Sequence, residues 1–169
     1  ERVSAINAWA SVQYAGAEAA RGRYWAVHPT LIACVKCMDG RVHFPVMTGT
    51  PIGVVKPFRA IGGAYQVWWP AFWKRFERWV DAAVRRGNRS CLFVSYHFSA
   101  SDTHLGCAGW KYDTDAARAH AVKLAADLTG IYGEQLTAIV TGVETDRDEL
   151  ILHGIEGDLR GSALAGQPI

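Results

Sequence analysis

The chain has 169 residues, 50% of them hydrophobic and 20% charged, with 18 Lys and Arg against 16 Asp and Glu. A chain of this length buries a sizeable core as one globular domain. No apolar run approaches the roughly 18 residues of a membrane-spanning helix, and the scattered basic residues make nucleic acid a poor partner. We therefore expect one globular domain with neither a membrane nor a nucleic-acid partner. The sequence begins at Glu1 without Met or a signal-like leader, so we expect an upstream segment to be missing from it.

The predicted elements begin with a helix over residues 4–21, in which small apolar residues recur at three-to-four spacing before Gly22. Little Leu or Ile stabilises this helix, so residues 1–22 are predicted to form an N-terminal helical arm. The apolar run 30–35 then predicts a strand buried on both faces, as in a parallel sheet. The remaining elements are, in chain order, a strand at 54–58 restricted by Pro57 to an edge or an end, a helix at 68–86, a strand at 91–96, a helix from Asp113 or Thr114 to Gly130, a strand at 136–143 and an edge strand at 150–153.

Strands that alternate with helices in this way predict an α/β fold, with a mostly parallel central sheet flanked by helices. The arm is followed by one domain over residues 23–160, and residues 161–169 are predicted to be a disordered tail. The wide aromatic stripe of the 68–86 helix is expected to pack against the sheet and against a second subunit.

The cysteines indicate the compartment. Cys34, Cys37, Cys91 and Cys107 have irregular spacing, which in a chain with an ample core is typical of free thiols or metal ligands. We therefore expect a reducing, cytoplasmic location.

Residues able to bind a metal follow two of the predicted strands. Cys37, with Asp39 and Arg41 close behind it, comes at the end of the first strand, and His97 ends the third. Cys107 opens the approach to the next helix, so these side chains can meet at the carboxyl edge of the sheet. Two thiolates and an imidazole are a zinc set that leaves a fourth position open for water. An Asp carboxylate oriented by a guanidinium could accept the hydrogen bond of the activated water.

These residues resemble the beta-class carbonic anhydrases, whose pattern is a strand followed by Cys-x-Asp-x-Arg, a strand that ends in His, and then Cys-Gly. Residues 37–42 match the first part. Residues 58–63 are similar to the family's Arg-Asn-Ala-Gly segment, from which Ala60 and Ile61 depart. The resemblance runs from about residue 30 to residue 143.

The resemblance implies an enzyme, a zinc-dependent carbonic anhydrase that reversibly hydrates carbon dioxide to bicarbonate and a proton by attack of zinc-bound hydroxide. It implies that Asp39 and Arg41 form a catalytic dyad that orients the hydroxide, and that Asp39 can move onto the zinc in a closed, inactive form. The residues that would hold Zn²⁺ are Cys37, His97 and Cys107, and those at the substrate pocket are Gly62, Gly63, Ala108 and Gly109.

The resemblance also implies partners. The smallest assembly of this family is a homodimer in which the N-terminal helix lies on the partner subunit. The long 98–106 loop and the 141–146 segment are similar to the divergent carbonic anhydrases of carboxysome shells. A carboxysome association is therefore an expectation beside the cytoplasmic one.

Several alternatives stay open. His104 has the family's common two-residue spacing to Cys107, whereas His97 has the expected position at a strand end, so His104 is kept as the alternative ligand. Cys34 and Cys37 could instead form a redox pair or part of a structural zinc site, although residues three apart on a strand point to opposite faces. The alternative functions are a hydrolase of carbon disulfide or carbonyl sulfide and a non-catalytic zinc domain. The proton could leave through His43, His104 or buffer.

Overall fold

The computed structural model describes residues 1–154 and 157–161. Its helices are α1 (Arg2–Gly16), α2 (Glu18–Val27), α3 (Phe44–Met47), α4 (Pro70–Val84) and α5 (Thr114–Tyr132). Its strands are β1 (Leu31–Cys37), β2 (Lys56–Ala60), β3 (Ser90–Phe98), β4 (Leu136–Glu144), β5 (Glu149–Gly154) and β6 (Gly157–Arg160). In the described part of the chain, no helix is long and apolar enough to cross a membrane.

Within the described residues, six strands form one sheet in the order β2, β1, β3, β4, β5, β6. The first four strands of this order run parallel to one another, whereas β5 and β6 are antiparallel to their neighbours. The predicted α/β fold with a mostly parallel sheet is therefore confirmed. Because β1, β2, β3 and β4 are parallel, the loops that follow them emerge at the same edge of the sheet.

The main core lies between the sheet and the helices α4 and α5. On the sheet side, Val35 pairs with Phe58 on one neighbouring strand and with Val94 on the other, and all three are buried. On the helix side, α4 contributes Phe72 and Phe76 against the ring of Phe58. The predicted aromatic stripe is thus confirmed for the middle of this helix. Trp68 and Trp69, which were predicted to begin this helix, precede it and remain 71% and 40% exposed.

The opposite face of the sheet is covered by the segment that follows β1. Val42, Phe44 and Val55 pack there with Cys34 and Val143. Other apolar residues of this face, among them Ile32 and Phe93, stay partly accessible. A mostly parallel sheet is normally covered on both faces, so this face is incompletely buried within one copy of the chain.

The N-terminal segment differs from the prediction. It forms two helices that meet at Ala17, and the predicted helix end before Gly22 is wrong because α2 continues to Val27. A glycine inside a helix costs only about 1 kcal/mol, so Gly22 alone need not end the helix, and Pro29 comes just after its observed end. The predicted boundary between residues 22 and 23 therefore falls inside α2. Both helices lie within the described residues, and neither buries a side chain.

The far edge of the sheet also differs from the prediction. The 150–153 strand lies inside the sheet rather than at its edge, because β6 pairs with it on the outer side. The sequence of β6 lacks an apolar alternation, and all four of its residues are exposed. The predicted tail, apart from Gly161, lies outside the described residues.

Candidate metal centre

Three potential metal ligands meet at the carboxyl edge of the sheet. Cys37 is the last residue of β1, His97 is the last but one of β3, and Cys107 follows the loop that leaves β3. Their ligand atoms, one from each side chain, all lie within 4.8 Å of one another. Their exposed fractions are 9%, 2% and 4%, so the cluster is shielded from bulk solvent.

The imidazole of His97 provides a test of whether this cluster fits a metal. Both of its ring nitrogens are buried, and neither has a hydrogen-bond partner among the described residues. A buried polar group without a partner costs about 1–3 kcal/mol, so such groups are rare in native proteins unless something else satisfies them. Coordination of a cation by the imidazole and the two thiols would satisfy one of these two ring nitrogens. The Cys₂His donor set fits Zn²⁺.

The two cysteines of the cluster are hydrogen-bonded to each other. The Sγ of Cys107 donates to the Sγ of Cys37 over 3.9 Å, and the backbone N–H of Gly62 donates to the same sulfur over 3.3 Å. The Cys107 thiol, more than any other group, lowers the pKa of Cys37 to about 3. The Cys37 sulfur correspondingly raises the pKa of Cys107. The two hydrogen bonds that the Cys37 sulfur accepts favour negative charge at this pair, and the thiolate is the form of cysteine that binds metals.

Asp39 and Arg41 form a close ion pair beside the cluster. The guanidinium donates from Nε to Oδ1 of Asp39 over 3.1 Å and from Nη2 to Oδ2 over 2.8 Å. The backbone N–H of Arg41 adds a third bond to Oδ1 over 2.9 Å. These hydrogen bonds lower the pKa of Asp39 to about 2. The Oδ2 of Asp39 also lies 4.0 Å from Nε2 of His97, so the carboxylate borders the cluster while Arg41 holds it.

Arg41 has further partners outside this pair. Its Nη2 donates to the carbonyl of Leu105 over 2.7 Å, and its Nη1 donates to Oγ1 of Thr145 over 3.4 Å. The guanidinium therefore connects the turn after β1 with the loop before Cys107 and with the end of β4.

Close backbone contacts fix the walls behind the cluster. A Cβ on Gly109 would lie 2.7 Å from the backbone nitrogen of Gly62, so only glycine fits there. Gly62 and Gly63 both have a positive φ, which favours glycine, and the indole of Trp110 donates to the carbonyl of Gly62 over 2.8 Å. The residues after β2 and after Cys107 thus hold each other in register beside Cys37.

A cavity of about 350 Å³ opens onto the cluster. Its lining comprises Cys37, Met38, Asp39, Arg41, Ile61, His97, His104, Leu105, Gly106, Ala108, Gly109 and Tyr112. Of the four glycine and alanine residues predicted at the substrate pocket, Ala108 and Gly109 line the cavity. Gly62 and Gly63 lie behind the wall, where they support it.

His104 and Cys34 do not join the cluster. His104 is 82% exposed at the cavity mouth, its Nδ1 lies 3.3 Å from Oδ1 of Asp102, and its ring contacts Tyr112. Cys34 is buried on the far face of the sheet, where burial raises the pKa of its thiol to about 12. All four cysteines are free thiols.

Two residues of the candidate site, Leu105 and Tyr112, could not be predicted from the sequence. Leu105 acts through its backbone carbonyl, which any residue would supply. Tyr112 reaches the cavity through a turn in which Lys111 and Tyr112 both have a positive φ. Neither feature has a signal in residue type or spacing.

Comparisons with solved structures agree with this fold. The beta-carbonic anhydrase CcaA superposes with a TM-score of 0.58 at 12% identity, over 90% of this chain and 95% of its own. The beta-carbonic anhydrase CafA of Aspergillus fumigatus gives a TM-score of 0.55 at 13% identity, over 90% of each chain. One of two tetrameric beta-carbonic anhydrases from Sordaria macrospora gives 0.52 at 12% identity, over 91% of this chain and 98% of its own.

The chain therefore has the fold of the beta-carbonic anhydrases. No family model matches its sequence, and neither does any curated protein. At this level of identity the likeness establishes the fold, and the activity has to be argued from the site.

Proposed function

We propose that this protein is a zinc-dependent carbonic anhydrase, which reversibly hydrates carbon dioxide to bicarbonate and a proton. The observation that carries the proposal is the Cys37, His97 and Cys107 cluster, whose ligand atoms lie within 4.8 Å of one another beside an Asp carboxylate already held by Arg41. The fold, which is that of the beta-carbonic anhydrases, supports the same activity.

Cys37, His97 and Cys107 would hold the zinc ion. Zinc at a site with three protein ligands supplies a Lewis acid that activates a water molecule as a nucleophile at neutral pH. The N–H of Gly62 supports this arrangement, because its hydrogen bond to Cys37 fixes the sulfur and stabilises negative charge on it.

Asp39 would orient the nucleophile. Its Oδ1 already accepts two hydrogen bonds from Arg41, whereas Oδ2 accepts one and keeps a lone pair for the O–H of the attacking water. Arg41 would keep the carboxylate in this direction and away from the ligand cluster. The attacking oxygen is then held with a lone pair directed into the cavity.

The cavity suits a small apolar molecule such as carbon dioxide. The apolar side chains of Ile61, Leu105 and Ala108 form part of its lining. The substrate is uncharged and the product is an anion, and the guanidinium of Arg41 offsets the negative charge of the Asp39 carboxylate beside it.

Stopped-flow carbon dioxide hydration, with zinc content measured on the same sample, tests this proposal. We expect fast hydration with about one zinc per chain, and the loss of both in Cys37→Ala. Cys34→Ala is the matched control, since Cys34 is a buried thiol of the same strand that lies outside the cluster. Zinc binding without hydration at any pH of a pH series, which would rule out a closed form of the site, would refute the proposed activity. Turnover of carbon disulfide or carbonyl sulfide would then identify the alternative hydrolase.

We also propose that the functional unit is a homodimer or a higher homo-oligomer. The helix α1 leaves Val3, Trp9 and Val12 more than 60% exposed, and one sheet face is incompletely covered. A second copy would cover both surfaces. Sedimentation of the full chain should give at least twice 18.5 kDa, and Val12→Glu should shift it towards the monomer more than Gln13→Glu does. Equal shifts would contradict a role for this apolar surface.

The location is proposed to be the cytoplasm, since four free thiols suit a reducing compartment. The carboxysome association implied by residues 141–146 is a further proposal. Co-sedimentation with purified shells, compared with sedimentation of the chain alone, tests it.

A further inference from the structure

The loop that leaves β3 and returns at Cys107 is held by the turn between β4 and β5. Asp146 of this turn accepts hydrogen bonds from Oγ of Ser99 over 2.9 Å and from the backbone N–H of Ser101 over 2.8 Å. Ser99 is 7% exposed, and its Oγ in turn accepts from the N–H of Asp102 over 3.0 Å. One carboxylate thus fixes the first half of the loop.

The same turn contacts the guanidinium of Arg41 directly. The hydroxyl of Thr145 donates to the carbonyl of Phe98 over 3.0 Å, which uses its one proton. Its oxygen is then oriented to accept from Nη1 of Arg41, 3.4 Å away. The backbone N–H of Thr145 donates to the same Phe98 carbonyl over 2.9 Å, so the threonine is anchored to the end of β3.

The second half of the loop completes the hold on Arg41. The Nη2 of Arg41 donates to the carbonyl of Leu105 over 2.7 Å, and Leu105 belongs to the same loop whose start is bonded to Asp146. The guanidinium is therefore fixed by Asp39 on one side, and by Thr145 and Leu105 on the other. Without the second set of bonds, Arg41 would be constrained by Asp39 alone.

We propose that Thr145 and Asp146 are positioning residues that hold Arg41 and thereby keep the Asp39 carboxylate off the Cys37, His97 and Cys107 cluster. The inference rests on the proposed function, since it concerns the same site. The consequence follows from distance: Oδ2 of Asp39 is 4.0 Å from Nε2 of His97, so a released carboxylate can reach a metal on the cluster by a small movement. The turn selects the arrangement in which Asp39 is bonded to Arg41.

Hydrogen exchange measured by mass spectrometry on the full chain gives a readout that does not depend on activity. Thr145→Val removes the hydroxyl that contacts Arg41, and Asp146→Asn removes the charge that fixes Ser99 and Ser101. Both should raise exchange about three- to tenfold in residues 38–42 and 99–106, because the local opening of these segments becomes easier. Asp148→Asn is the control, since Asp148 is exposed in the same turn and Asn tolerates its positive φ.

Visible absorption of the Co²⁺-substituted protein reports the carboxylate itself. In the two variants the spectrum should change as Asp39 joins the metal, and kcat should fall about tenfold with metal content unchanged. In an Asp39→Asn background, Thr145→Val should leave the spectrum as it is. This dependence on Asp39 is something that a merely structural role would not produce.

The outcomes separate this inference from the proposed function. If the parent chain hydrates carbon dioxide and both variants match Asp148→Asn in exchange and spectrum, the inference is overturned and the function stands. If the parent binds metal without hydration and the variants still shift exchange and spectrum, the proposed function fails and the positioning role is supported. Should Asp146→Asn fail to fold by circular dichroism, Thr145→Val, which keeps the Asp146 bonds, decides alone.

Discussion

Substitution of Gly109 by alanine is expected to distort the site, because the added Cβ would collide with the backbone of Gly62 behind the cavity wall. A Cβ at this position would lie 2.7 Å from the nitrogen of Gly62, 2.8 Å from its Cα and 2.9 Å from Cγ2 of Ile61. Non-bonded carbon atoms pack at about 3.5–4.0 Å, and two of these three contacts are backbone atoms that cannot rotate away. The backbone of Gly62 must therefore shift, and overpacking of this kind costs about 1–3 kcal/mol.

The shift should also reach the metal. The N–H of Gly62 donates to the sulfur of Cys37, and loss of a bond that orients a metal ligand typically weakens metal binding about 10- to 100-fold. Urea unfolding would measure the stability, and competition with a chromophoric chelator would measure the zinc affinity. The expected result is a lower unfolding midpoint together with weaker zinc binding.

Gly130→Ala provides the matched control for this prediction. Gly130 lies inside α5, and an added Cβ there meets nothing within 4 Å. The same chemical change should stabilise the protein by about 0.5–1 kcal/mol, because alanine loses less backbone freedom in a helix. If Gly109→Ala proved as stable as the parent and bound zinc equally well, the close backbone contact would not be a determinant of the site.

Three further predictions concern the chemistry of the site. Asp39→Ala should keep its fold and its zinc while kcat for hydration falls about 10²- to 10³-fold in stopped-flow assays; full activity would exclude the orienting role. His104→Ala should lower kcat but not kcat/KM in dilute buffer, with recovery on adding imidazole, because His104 lines the cavity mouth and can carry the proton away. His43→Ala should match the parent, because His43 lines a separate pocket beside Cys34. Equal behaviour of the two variants would contradict this assignment of the proton path. Removal of zinc with a chelator should lower the urea midpoint, since a ligand at 100 times its Kd stabilises the native state by about 2.7 kcal/mol, and unchanged midpoints would show that the cluster binds no zinc.

The interior of the fold was predictable from sequence because its signals are local. The run 30–35 indicates a buried strand whatever surrounds it, and the stripe of α4 indicates a helix packed on a sheet. Asp113 has the residue type of an N-cap, and its carboxylate does accept from the N–H of Ala116. These elements follow from periodicity and capping alone.

The periphery was less predictable because its structure depends on context. A glycine at position 22 stops a helix only if a better alternative exists, and here α2 continues through it. The exposed strand β6 has no apolar pattern of its own and pairs because β5 offers it an edge. Propensity is a weak guide wherever partner strands decide the outcome.

Two of the three candidate ligands, Cys37 and His97, could be predicted from sequence because strand ends converge in a parallel sheet. Cys37 and His97 end neighbouring strands, and that topology alone brings them together. Spacing alone could not decide between His97 and His104. A histidine separated from Cys107 by two residues and a histidine separated from it by a longer loop can both reach the same metal ion as Cys107. The structure brings His97 to the cluster and leaves His104 at the cavity mouth.

The long loop explains why this site needs bonds that are remote in sequence. When two residues separate His from Cys, the chain itself restricts where the second ligand can lie. Here residues 98–106 lie between His97 and Cys107. Each doubling of the length of a loop raises the entropic cost of closing it by about 0.6 kcal/mol, because the longer loop has more conformations. Asp146 and Thr145 supply the missing restriction by fixing the start of the loop and its contact with Arg41. The ligand spacing and the turn after β4 are therefore physically coupled, and a shortened loop should make the Asp146 bonds dispensable.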